Sequence, residues 1–135
     1  MAVGGRRLSA PRSGHHVNGP AAGRRRFCQA LDLIDSPALI EEYQRHHRRI
    51  WPAIADHLRR HGILEMEIYR LGTRLFMIVE VGADFDAARF DAASLNHPEV
   101  QRWEALMWQY QAATPWTPQG EKWVVMERIF SLQQQ

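Results

Sequence analysis

The sequence has 135 residues, 45% of them apolar, and one cysteine, which bounds it to one globular domain that no internal disulfide holds together. No apolar run approaches the ~18 residues of a bilayer-spanning helix, and the opening MAVGGRRLSAPRSGHH has no apolar stretch behind its arginine pair, so neither a membrane span nor a secretory leader is expected. The formal charge is +2, but six of the 17 basic residues fall within positions 1–26, which hold no acid; the other 11 face 15 acids, a balance that repels phosphate and makes nucleic acid an unfavourable partner.

Residues 1–24 are rich in Gly, Ala, Pro, Ser and Arg. They offer too little apolar surface to offset ordering entropy, so a disordered basic tail is expected there, with one domain over 25–135. The lone Cys28 fits a reducing, cytoplasmic setting.

In RFCQALDL (26–33), Phe27, Gln29, Leu31 and Leu33 alternate with Arg26, Cys28, Ala30 and Asp32, the period of a strand. Asp35-Ser36-Pro37 then starts a helix, with Ser36 as cap and Pro37 at the first helical position. Pro52 would lose a backbone bond and clash inside a continuous helix, at ~3 kcal/mol. A kink is therefore predicted near 49–51, with a second helical piece running from Pro52 to His61-Gly62. ILEMEIYR (63–70) and RLFMIVEV (74–81), joined by Leu71-Gly72-Thr73, read as a hairpin. A short helix over 84–93 follows. Asn96-His97-Pro98 opens another over 99–113, with Val100, Trp103, Met107 and Tyr110 at helical spacing. The Pro-rich TPWTPQG (114–120) is a loop, and EKWVVMERIF (121–130) is the last strand. The order β-α-β-β-α-β predicts an α+β, ferredoxin-like fold: an antiparallel sheet with helices on one face. The other face needs a cover, which at this length means a second subunit or a ligand cavity.

On the helix EEYQRHHRRI, Tyr43 and His47 stand at i and i+4, with Ile50, Ile54 and Leu58 continuing the stripe. His47 is thus expected against the sheet beside a phenol, where an imidazole can exchange protons near neutral pH. A hydrogen-bonded core histidine is the plainer alternative. His46 lies about 100° away, among Arg45, Arg48 and Arg49, and is expected to face water. In EMEIYR, Glu65, Glu67 and Tyr69 share one side and Met66 and Ile68 the other. Glu80, Glu127 and Arg128 also sit in apolar strands, where acids need an ion pair or a wet cavity. Five tryptophans are available to stack on a sugar ring or to fill a core. His57 and His61 have zinc spacing, but HLRRH lacks the HExxH glutamate and shows no third ligand. There is no phosphate loop, dinucleotide fingerprint or nucleophile elbow.

The block EEYQRHHRRIWPAI, followed by RRHG, EIYR, LFMIVEV, VQRWEALM and the closing strand, resembles the L-rhamnose mutarotase family from about Arg26 to Phe130. The resemblance implies a dimeric α+β barrel and a cofactor-free enzyme, without a metal, that interconverts the anomers of a free deoxy-sugar. It implies His47 as the proton donor and Tyr43 and Trp103 as sugar-binding residues. Rhamnose-type members carry a tyrosine where this chain has Met66 and a second tryptophan where it has Glu104. HHRRIWP, MEIYR and RWEALMW look like the L-fucose mutarotase branch, so L-fucose is expected ahead of L-rhamnose. Glu104 is the candidate for a hydroxyl contact, with Glu67 and Tyr69 as further candidates. The rival readings are a non-catalytic small-molecule-binding dimer and a cofactor-free monooxygenase on a similar barrel.

Overall fold

The computed structural model describes residues 23–135; most of the expected basic tail lies outside the described residues. Strand β1 (Arg25–Leu33) buries Phe27, Gln29, Leu31 and Leu33 and leaves the alternate residues on its other face, as the two-residue period dictates. Helix α1 (Pro37–Arg48) begins where Ser36 Oγ accepts the Leu39 backbone N–H at 3.3 Å, with Pro37 in its first turn. The chain then breaks rather than bends. Arg49 is extended, at φ −153° and ψ 97°, and Pro52 opens a separate helix α2 (Pro52–Arg60). Gly62, at φ +90°, turns the chain into the sheet in a conformation that costs glycine nothing.

The hairpin forms as expected. Strand β2 (Ile63–Leu71) pairs antiparallel with β3 (Arg74–Val81), and Gly72 takes φ +60° at the turn. β3 also pairs with β1 along eight residues, from Arg25↔Val81 to Asp32↔Arg74. A bulge lies between Ile63 and Glu65. It precedes Met66, so Met66 and Glu67 keep opposite faces of β2.

Helix α3 (Ala87–Leu95) is capped by Asp86, whose carboxylate accepts the Arg89 backbone N–H at 3.0 Å. Helix α4 (Pro98–Trp108) follows. Two expectations are corrected here. The second long helix was expected through 113, but it ends at Trp108, and strand β4 (Gln111–Ala112) pairs with the end of β1. The last strand was expected over 121–130, but β5 is only Val124–Val125, paired to the middle of β1. The Met126 N–H bond to the Cys28 carbonyl, at 2.7 Å, is the last on that edge. Beyond it, Ile129, Phe130 and Leu132 are exposed. In both segments local pattern favours a longer element, and cross-strand pairing with β1 decides the outcome.

The result is the ferredoxin-like α+β sheet, in the order β2-β3-β1-β4 with β5 also on β1. The core lies between the sheet and the helices. Leu31, Met77, Val79, Val81, Trp103 and Met107 are all fully buried there, each contributing about 1.5–3 kcal/mol. The opposite sheet face carries half-buried Cys28, Ala30, Phe76 and Ile78 and exposed Tyr69 and Leu71. Among the described residues no helix is long and apolar enough to cross a membrane.

Candidate functional site

The break between α1 and α2 opens a cavity of about 570 Å³ between these helices and the inner sheet face, walled by Tyr43, His47, Ile50, Met66, Trp103 and Trp123. Its size suits a small ligand. Tyr43 and His47 reach it as an i, i+4 pair on α1, with ring centroids 4.5 Å apart. From α4, Trp103 closes the other side, edge-on to His47 at 5.8 Å and to Trp51 at 5.1 Å.

His47 Nδ1 lies 2.8 Å from the backbone carbonyl oxygen of Tyr43. A carbonyl only accepts, so Nδ1 carries the proton and donates it there. That leaves Nε2 as the basic nitrogen of the neutral ring. Burial pulls the imidazole below its ordinary pKa; the bond to Tyr43 opposes this, and neighbouring His46 adds to it. At pH 7 the ring is therefore neutral.

The Tyr43 phenol is buried and accepts a hydrogen bond from Gln111 Nε2 at 3.2 Å. Burial raises its pKa far above the usual phenol value, and the Glu104 charge raises it further, while the Gln111 bond works against the rise. Tyr43 is thus a neutral hydroxyl in any working buffer. The indole N–H groups of Trp103 and Trp123 are buried with no acceptor among the described residues.

The other expected site residues divide. Met66 is on the cavity wall, as the inner face of β2 requires. Glu67 and Tyr69 are on the opposite face, bonded to each other at 3.4 Å, and the structure does not bring them to His47. Glu104 is buried on α4 outside the cavity lining. Lys122 Nζ stands 3.6 Å from its carboxylate and 4.9 Å from the Trp108 ring centroid. Burial pushes the Glu104 carboxyl up, and Lys122 counters that. His46 corrects the expectation that it faces water: it is half-buried, and its Nε2 contacts the Tyr110 hydroxyl at 3.2 Å. Gln111 and Lys122 went unremarked as site residues in the sequence, and Trp123 was not distinguished from the other tryptophans. Nothing local distinguishes them, since each reaches the site from 60 or more positions beyond α1. A third histidine, His97, does join His57 and His61, with His57 5.1 Å from its ring centroid, yet no group among the described residues has metal-holding geometry.

Residues 26–132 match the family model described as L-rhamnose mutarotase. The L-fucose mutarotase of Xanthomonas campestris pv. campestris is 47% identical over 109 residues, 79% of this chain and 87% of that protein. The L-rhamnose mutarotase of Rhizobium johnstonii is 32% identical over 88 residues, 64% of this chain and 79% of that one. Among solved structures, the L-rhamnose mutarotase from Formosa agariphila is 19% identical, with a TM-score of 0.60 over 80% of this chain and 98% of that chain, a likeness of fold.

Proposed function

The chain belongs to the L-rhamnose mutarotase family, a family of carbohydrate isomerases, and from that membership we propose that it interconverts the α and β anomers of free L-fucose, with L-rhamnose as the second substrate. The stronger likeness to the L-fucose enzyme supports that order. So do Met66 and Glu104, the two positions at which the resemblance sets this chain apart from rhamnose-type members.

The observation that carries the mechanism is the bond from His47 Nδ1 to the Tyr43 carbonyl. It leaves an unprotonated Nε2 on a ring at the cavity wall, so His47 accepts before it donates. Nε2 takes the proton of the anomeric hydroxyl. The C1–O1 bond becomes a carbonyl, and the C1–O5 electron pair leaves with O5. The imidazolium then returns the proton to O5, and the free aldehyde sugar results. O1 and O5 are bonded to one carbon, so one ring nitrogen serves both. Rotation about C1–C2 and the reverse sequence close the ring on the other face. Trp103 supplies the apolar surface for the pyranose, and Tyr43 hydrogen-bonds a sugar oxygen.

The same reading makes the protein a homodimer, with a second copy covering Phe76, Ile78, Tyr69 and Leu71 on the outer sheet face. Saturation-transfer NMR of anomer exchange over a panel of free sugars tests the activity. The expected result is enhancement above the buffer rate, largest for L-fucose. No enhancement with any sugar refutes it.

A further inference from the structure

We infer that Gln111 is a positioning residue of this site: it commits the single hydroxyl proton of Tyr43 to the cavity and so makes Tyr43 a hydrogen-bond donor to the sugar. The inference rests on the mutarotase reading and specifies how its phenol works. Gln111 is fixed by its backbone, since β4 pairs it with Leu33 at the end of β1. Its side chain is 4% exposed. Its amide Nε2 donates to Tyr43 Oη at 3.2 Å. Among the described residues the phenol has no other hydrogen-bond partner.

A phenol oxygen has one proton and can accept as well as donate. An isolated tyrosine on a cavity wall therefore turns either way. With the amide N–H on one side of the oxygen, a proton turned toward Gln111 would meet another proton. It turns away from Gln111, and because Tyr43 lines the cavity, a sugar oxygen bound there is the acceptor this inference assigns to it. A donor held at the place where negative charge grows on O5 lowers the barrier without reorienting during the reaction. Burial reinforces this: the phenol stays protonated and supplies a hydrogen bond, while His47 moves the proton.

The test compares Gln111→Leu, Gln111→Glu, Tyr43→Phe and Tyr43→Phe/Gln111→Leu in the full chain, by L-fucose anomer exchange over a range of sugar concentrations. Leucine keeps the size and removes the N–H. Glutamate keeps the shape but accepts, drawing the phenol proton away from the cavity. Both are expected to lower kcat roughly tenfold, less than outright loss of a transition-state donor, with a smaller change in KM. The double variant is expected to match Tyr43→Phe alone, because Gln111 acts only through the phenol. Full activity in either folded Gln111 variant overturns the inference. So does a double variant slower than Tyr43→Phe by the whole factor of Gln111→Leu, which marks a general packing role. If Gln111→Leu does not fold, the Gln111→Glu rate decides. Absence of exchange in the wild type removes the mutarotase reading itself. Normal wild-type exchange with undiminished Gln111 variants removes only this inference.

Discussion

Acidification should slow the catalysed exchange, and the direction separates two orders of proton transfer. The ring of His47 is neutral at pH 7 because burial holds its pKa below the ordinary 6.5. Its Nδ1 proton is bound to the Tyr43 carbonyl. If Nε2 must accept first, the rate follows the neutral fraction. It is greatest on the alkaline side and falls as the pH drops through the lowered value, approaching about tenfold per pH unit below it. If the histidine donated first, the rate would climb over the same interval. Removing the imidazole with His47→Ala should cost ~10²–10⁴ of the rate, the usual worth of a placed acid–base group, and should erase the pH dependence. The substitution forfeits one hydrogen bond, about 1 kcal/mol, at a wall already open to a cavity, so the variant should remain folded. Saturation-transfer NMR, with the buffer rate subtracted at each pH, reads both effects. A catalysed rate that rises from pH 7 to 5, or near-wild-type exchange in folded His47→Ala, refutes the reasoning.

Three other outcomes are expected. Met66→Tyr with Glu104→Trp should move the L-fucose to L-rhamnose ratio toward L-rhamnose; Glu104→Trp also strips Lys122 of its carboxylate, so adding Lys122→Met should recover melting temperature lost in the pair. An unchanged sugar ratio would remove these positions from selectivity. His57 is buried, bonded to Ser94 Oγ at 2.9 Å. Burial, helped by His61, His97 and Arg60 and opposed by Asp56, lowers its pKa to about 4. The unfolded chain binds that proton first, so stability is whole above pH 6.5 and drains as pH falls toward 4. His57→Gln, measured by thermal melts, should flatten that slope, and an equal slope would exclude His57 as its source. Finally, Ile78→Glu on the outer sheet face should yield a monomer in sedimentation; a dimer that survives it uses another surface.

Much of this fold is legible in the sequence wherever the cause is local. Ser36-Pro37 starts α1, Pro52 divides it from α2, and Leu71-Gly72-Thr73 turns the hairpin, because caps, ring sterics and positive φ act within a few residues. The short β4 and β5 were not legible. Gln111 and Val124 follow β1's unpaired edge, not their own pattern. The same division holds at the site. The i, i+4 rule sets Tyr43 beside His47, and strand parity means that Met66 at the wall turns Glu67 and Tyr69 away. His46 was misjudged because Tyr110, 64 residues further on, meets it. Gln111 was invisible for the same reason, meeting Tyr43 from 68 residues away.

The placement of the indoles gives the molecule a built-in optical reporter. Trp103 and Trp123 line the cavity at 0% and 2% exposure, whereas Trp116 is 72% exposed. Shielded indoles emit at shorter wavelength than hydrated ones, so the blue edge of the emission band is weighted toward Trp103 and Trp123, with half-buried Trp51 beside Trp103. Titrating sugar while watching that edge, with iodide to quench the exposed Trp108 and Trp116, would follow occupancy without a label.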